Sequence, residues 1–202
     1  HLIFYFLFVV AIFLLFFSFN QDFSINLLSL SSSMSNIGFS LGYDQSNLNF
    51  IYLILVIIGG SFFSTSSGLR FIKIYSLFKY SLNQILSYSR PKNIYMNKLL
   101  FTEINFDFKE INKYFLTIVI FIISLFTLTI LLSFSLIDFE SAFKLSILTI
   151  MNTVNSTSYG LSDFNFYNLN YFTKYCLILF MILVRIEVLS VLIIIKNFLF
   201  KY

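Results

Sequence analysis

The ten residues Met34 to Tyr43, M-S-N-I-G-F-S-L-G-Y, form a small, polar, glycine-containing turn held between two strongly apolar runs. Neither a packed soluble core nor plain lipid asks for such a segment, so it constrains the fold more than any other stretch. A second turn of the same kind, Val154 to Asp163 (V-N-S-T-S-Y-G-L-S-D), holds the same position relative to its own apolar flanks about 120 residues later. Only 11% of the 202 residues are charged, 58% are hydrophobic and the mean hydropathy is +0.88. Soluble domains carry roughly a quarter charged residues, so the chain reads as an all-α integral membrane protein.

Leu2 to Phe19 carries no charge over eighteen residues, just enough for a helix to cross a hydrocarbon core. It lacks the basic lead-in and small-residue cleavage site of a signal peptide. His1 stands where an initiating Met belongs, which reads as a chain whose beginning is missing. Asp22 to Met34 is too short to span and rich in serine, and Asp22 offers an N-cap. It reads as a re-entrant half-helix delivering its C-terminal end into the turn at Asn36 to Ser40. Irregular backbone at membrane depth is tolerated only where protein encloses it or it lines water, so the turn is expected to line a pore.

From Phe50 to Ile58 the chain is apolar again, and then meets I-G-G-S-F-F-S-T-S-S-G-L-R, Ile58 to Arg70. Glycine disfavours a straight helix by roughly 1 kcal/mol per residue, which predicts a break near mid-membrane and a second helix from Leu69 to about Leu86. The rest repeats the pattern: a span at 113–137, a short helix at 138–153 opened by Asp138-Phe139 as the first is by Asp22-Phe23, the turn, and a span at 171–200. The organisation is therefore two span, re-entrant loop, span units, 1–86 and 113–202, joined by a linker at 87–112. In this reading Gly38-Phe39-Ser40-Leu41 lies over Ser158-Tyr159-Gly160-Leu161. Arg70, Lys73, Lys79, Arg90, Lys92, Lys98, Lys109 and Lys113 cluster on the linker side, which the positive-inside rule makes cytoplasmic. Asp22, Asp44, Asp138, Glu140 and Asp163 then face outside against Lys144 and Lys174, a mouth that concentrates cations. Asp138 and Glu140 read equally as helix caps or ion attractors.

Cation pores are commonly lined by backbone carbonyls that replace the ion's hydration shell, and glycine lets successive carbonyls turn inward. Gly38 and Gly160 suit that need, and each half-helix aims its partly negative C-terminus at the ion. Arg185 sits near the centre of an apolar run, where a charge costs at least about 2.5 kcal/mol, and Glu187 lies on a different helix face. A pore-adjacent role for Arg185 follows.

These stretches carry a resemblance. Ile57 to Lys73, I-I-G-G-S-F-F-S-T-S-S-G-L-R-F-I-K, resembles the I-G-G-x-x-G-S-T-x-G-G-I-K stretch of Trk-type potassium uptake proteins, the TrkH family in the superfamily that also holds TrkG and KtrB. Leu183 to Phe198 resembles that family's G-R-L-E-x-x-x-V-L-x-L-F-x-P-x-F-W close, and Thr153 to Ser162 its T-L-N-N-x-G-P-G-L-G turn. The likeness runs over nearly the whole chain and corresponds to the third and fourth repeats of a four-repeat cation channel fold. It implies potassium as the transported substrate and no bound cofactor. It implies a third-repeat filter at Asn36, Ile37, Gly38 and Phe39, and a fourth at Asn155, Ser156, Thr157 and Ser158. It implies an intramembrane gate containing Gly59, Gly60, Ser61, Ser64, Thr65 and Gly68, with Arg185 as a positive barrier beside it. The family's partners follow: the first and second repeats, a second copy in a homodimer, and a cytoplasmic nucleotide-binding regulatory ring of the TrkA or KtrA type, at the plasma (inner) membrane of a bacterium. The sequence departs from the family at Ser158 and Phe63, where the family has glycine, at Tyr159 for proline, at Ser66 and Ser67 within the glycine run, and at Val184 before the arginine.

The chain carries no nucleotide-binding loop, nucleophile constellation or cluster of metal ligands, so neither an enzyme nor a nucleic-acid partner is expected, and the lone Cys176 reads as a packing or lipid-facing thiol. The Asn155-Ser156-Thr157 sequon lies in a turn inaccessible to glycosylation. A second class, a structural or assembly subunit of an organellar or bacterial energy-converting complex, is suggested by composition alone and needs neither two filter-like turns nor a serine and glycine break.

Overall fold

The computed structural model describes residues 2–19, 23–39, 49–59, 69, 71–89, 108–155, 159–161 and 166–185. Seven α-helices run through them: α1 (Leu2–Phe19), α2 (Phe23–Ser35), α3 (Asn49–Ile58), α4 (Phe71–Ser89), α5 (Phe108–Ser133), α6 (Phe139–Ile150) and α7 (Tyr171–Arg185), with a short 3-10 turn at Phe166–Asn168 before α7. No strand occurs among the described residues.

Length separates the helices into kinds. At about 1.5 Å per residue, the 13-residue α2 and 12-residue α6 are roughly 20 and 18 Å long, short of a ~30 Å hydrocarbon core. In α5, Glu110–Ser133 is the one helical stretch among the described residues long and apolar enough to cross a membrane, and only 22% of its most apolar window is buried. Helix α7 is described to Arg185, and the remainder of the expected span to 200 lies outside the described residues. The expected linker is narrower than 87–112, since α4 runs to Ser89 and α5 begins at Phe108.

The hydroxyl-rich helices are viable in apolar surroundings because their side chains bond their own backbone. Ser33 Oγ donates to the Ser29 carbonyl at 2.7 Å and Ser35 Oγ to that of Ser31 at 2.6 Å in α2. Ser146 and Thr149 do the same in α6, to Ala142 and Leu145 at 2.7 Å each. The hydroxyls of Thr129 and Ser146 lie 3.1 Å apart, a polar link that fixes the register of α5 against α6.

One apolar core joins five of the helices. Tyr52, Leu53, Leu55 and Val56 of α3, Leu125, Leu128 and Leu132 of α5, and Leu177 of α7 lie on the helices that pack around α6, and Leu30 and Met34 of α2 join the same core through α3. Every residue from Leu145 to Ile150 is buried, so the C-terminal half of α6 is enclosed on all sides, while its first turn, with Phe139 and Glu140, is exposed. Its outer end is held differently from the expectation. Asp138 stands at the N-cap position with no side-chain capping bond; its carbonyl accepts the Ala142 N–H at 2.8 Å instead. The reading of Asp138 as a side-chain cap is thereby corrected, and Asp22 lies outside the described residues.

Helix α3 stops at Ile58, where Gly59 takes φ +67 and donates to the Leu55 carbonyl at 3.0 Å. The left-handed conformation is open to glycine without a Cβ penalty. The N–H of Leu69 reaches back to the carbonyl of Ile57 at 3.4 Å, so the chain returns to the end of α3 before α4 begins at Phe71. There the Phe71 ring is clasped by Tyr5 and Phe8 of α1, at 5.6 and 5.0 Å between centroids.

Candidate functional site

The two half-helices end in the same motif. Asn36 closes α2 at φ 58, with its N–H on the Ser33 carbonyl and the Ile37 N–H on Ser32 at 3.1 Å. Asn152 closes α6 at φ 52, with its N–H on the Thr149 carbonyl at 3.1 Å and the Thr153 N–H on Leu148 at 2.9 Å. These are paired Schellman closures, and asparagine is the residue after glycine that best tolerates the left-handed position. The match sets the two copies 116 positions apart (36 and 152), the same offset that lays Asp22-Phe23 over Asp138-Phe139. The alignment of Gly38 with Ser158 is therefore four positions out of step at the helix ends, and Gly38 corresponds to Val154.

Those two residues touch. A β-carbon added to Gly38, at φ +80, would stand 2.0 Å from the Val154 carbonyl oxygen and 2.8 Å from its carbon. Backbone meets backbone there, an approach only glycine allows. Along the first turn the pattern alternates: Asn36 and Gly38 are buried, while Ile37 and Phe39 are exposed. Beyond Val154, the Asn155 Nδ2 donates to the Leu161 carbonyl at 3.1 Å, tying the outgoing limb of the second turn to the returning one. Asn155 Oδ1 and Thr153 Oγ1 are buried at this junction and make no hydrogen bond among the described residues.

Behind the junction lies a cluster that sequence reasoning missed. Tyr52 and Tyr159 are fully buried, as is Ser33, and Ser29 nearly so. The Tyr159 hydroxyl stands near the hydroxyls of Ser33 and Ser32, and that of Tyr52 near Ser29, one helical turn before Ser33 on α2. The signal was present as Ser29 and Ser33 at i, i+4 spacing, but a serine-rich half-helix looks the same whether its hydroxyls bond inward or outward.

At the outer end, Gly160 takes φ +70, and a β-carbon there would lie 2.6 Å from Asn49 Nδ2 and 3.2 Å from Lys144 Nζ. Lys144 pairs with Glu140 at 2.5 Å along α6, and this ammonium hydrogen bond and charge hold the Glu140 carboxyl below its ordinary value. The Lys144 charge is therefore neutralised locally. Asn152 Nδ2 reaches the Met181 carbonyl of α7 at 3.4 Å, one turn before Arg185.

Of the residues singled out from sequence, Gly38 meets Val154, the neighbour of Asn155, while Asn36, Ile37 and Phe39 flank Gly38 in the first turn and Gly59 ends α3 at the helix break. Ser156, Thr157 and Ser158 of the second turn, and Gly60, Ser61, Ser64, Thr65 and Gly68 of the break, lie outside the described residues; Arg185 is the last described residue of α7. No group of three His, Cys, Asp or Glu side chains converges among the described residues, so the oxygens of the junction are amides, hydroxyls and peptide carbonyls. Fold and junction together define an all-helical chain with two half-length helices whose closing turns abut. In comparison with known proteins, no family model and no curated sequence matches it.

Proposed function

We propose that the chain forms the third and fourth span, loop, span repeats of a potassium uptake protein of the TrkH type, passing potassium through a pore lined by the turns after α2 and α6. The observation that carries this reading is the contact of Gly38 with the Val154 carbonyl. Two half-helices end in identical closures, their turns abut at Gly38 and Val154, and Thr153 and Asn155 beside that contact hold buried, unbonded oxygens. Lone pairs held out of water with no donor suit a desolvated cation as the missing partner.

Membrane insertion is supported by the outer faces. Ile122, Ile123, Phe126 and Ile130 of α5 and Tyr175, Ile178, Leu179 and Ile182 of α7 are all exposed, an apolar surface that a water-soluble monomer does not carry. At the turn tips Ile37, Phe39 and Val154 are exposed at 61, 55 and 67%, and a first and second repeat would cover them. The broken segment between α3 and α4, with Arg185, would then be the gate, and the basic linker would meet a cytoplasmic regulator.

The test is growth of a potassium-uptake-deficient bacterial host at low potassium. The full-length protein is expected to restore growth and Gly38→Asp to abolish it at an unchanged membrane level. Normal growth with Gly38→Asp, or no rescue by the wild type, would overturn the reading and leave the assembly-subunit class. Arg185→Ala is expected to raise flux, and unchanged flux would return Arg185 to a packing role.

A further inference from the structure

We propose that Lys174, held between the rings of Tyr167 and Tyr171 at the start of α7, binds the phosphate of an anionic phospholipid in the outer leaflet. The inference rests on the membrane part of the reading above and is independent of whether the pore passes potassium.

The site sits where one helix face changes character. Tyr171, Tyr175, Ile178, Leu179 and Ile182 are exposed and follow one another at the three- and four-residue spacing of a single face. The first two are tyrosines and the rest aliphatic, so along about 16 Å of helix the face passes from polar-tipped rings to bare hydrocarbon. That order suits the level where headgroups give way to acyl chains, the place tyrosine favours. Tyr167, in the 3-10 turn before the helix, adds a third ring. Tyr167, Tyr171 and Tyr175 are 87, 80 and 70% exposed, and so much outward ring area marks an interaction surface.

The lysine supplies what the rings lack. Its Nζ stands 5.8 Å from the centroids of both the Tyr167 and the Tyr171 ring and donates to the Tyr167 carbonyl at 3.0 Å. Uncharged groups therefore hold the ammonium in place, and none of them neutralises it. One of its three N–H donors is spent, which leaves two for a ligand. Lys144, the other lysine on this side in the expected topology, has Glu140 as its ion-pair partner, whereas among the described residues Lys174 has no carboxylate in ion-pair reach. An ammonium fixed at the headgroup level with two donors unspent calls for an anion there. A phospholipid phosphate answers the charge while its acyl chains lie along Ile178, Leu179 and Ile182. A free phosphate would use the ammonium and leave that aliphatic face uncovered.

The experiment photolabels the full-length protein in phosphatidylcholine vesicles carrying a trace of photoactivatable phosphatidylglycerol or, in parallel, of photoactivatable phosphatidylcholine. Label is read on the peptide that holds residues 167–175. The wild type is expected to take up roughly fivefold more of the phosphatidylglycerol probe, the factor that one lysine near the surface carries, and to lose that preference in added salt. Lys174→Gln is expected to label equally with both probes, and Lys174→Arg to keep the preference. Tyr167→Leu combined with Tyr171→Leu keeps apolar contact with the bilayer but frees the ammonium, and is expected to cut the preference roughly twofold. Equal labelling of the wild type by the two probes, or an unchanged preference in Lys174→Gln, overturns the inference. A preference that salt does not reduce also overturns it, and that arm needs no variant to fold. If the exposed faces of α5 and α7 take up neither probe, the membrane reading has failed; if they take up both alike, only the headgroup site has.

Discussion

The turns that follow α2 and α6 begin identically and then diverge. Both helices close on a left-handed asparagine, Asn36 and Asn152, with the same two hydrogen bonds. Two residues on, the first copy has Gly38 and the second Val154, and these equivalent positions lie against each other. The second copy places its glycine later, at Gly160, where the neighbours are the ends of the Asn49 and Lys144 side chains and not backbone. The same helix end thus occurs twice, but the close approach needs glycine only at Gly38, because what Gly38 meets is the backbone of Val154 and not its side chain.

The two glycines therefore give the sharpest way to break the comparison. At Gly38 an alanine combines left-handed strain with overlap on an immovable carbonyl, for a loss of roughly 3–5 kcal/mol. Gly160→Ala carries the same kind of strain, but side-chain ends can swing aside, for a loss of about 1–2 kcal/mol. Thermal unfolding of the purified full-length protein in detergent measures both. Equal losses at the two sites would mean that backbone conformation alone, and not the approach of the copies, makes Gly38 necessary.

The asparagines sharpen it at lower energy. Alanine at either Asn36 or Asn152 meets the left-handed penalty, about 1–2 kcal/mol. Glycine relieves that penalty at either position. Asn152→Gly loses the bond to the Met181 carbonyl, 3.4 Å away, which offsets the relief by about 0.5 kcal/mol. The same unfolding measurement reads it, and an Asn152→Gly variant more stable than the wild type would remove Met181 from the account.

Much of the helix plan was legible because its signals are local. An uncharged run predicts α1, the short Asp-Phe segments predict α2 and α6, and the Gly59 region predicts where α3 stops. The glycines give a different offset between the two turns from the one the helix ends show. Gly38 and Gly160 align by residue type, whereas the asparagine closures, which set the geometry, are common residues with no pattern of their own. The Tyr52, Tyr159, Ser29 and Ser33 cluster was illegible for a related reason: it joins residues from three segments, and only packing brings them together. Asp138 looked like a cap by position, but its side chain makes no such bond, and Glu140 spends its carboxylate on Lys144.

That last pair gives the smallest expected effect and a further asymmetry. At the shared offset, Glu140 and Lys144 correspond to Ser24 and Leu28, so the first half-helix has no such ion pair. Hydrogen bonding and charge from Lys144 hold Glu140 below its ordinary value in the folded protein. A depressed carboxyl contributes stability that is present above its unfolded value, about 4.3, and is lost as the pH falls through the lower folded value. The carboxylate is solvent-exposed, so screening keeps this contribution small. Glu140→Gln is therefore expected to leave the unfolding temperature nearly unchanged at pH 7 and to flatten its fall slightly between pH 5 and 3. Because Lys144 also lies under Gly160, releasing its ammonium adds a positive charge beside that turn; on the proposed potassium-uptake reading, uptake is expected to drop modestly at low ionic strength and recover in added salt. A drop that salt did not reverse would mean that Lys144 acts by holding the Gly160 turn in shape, not by its charge.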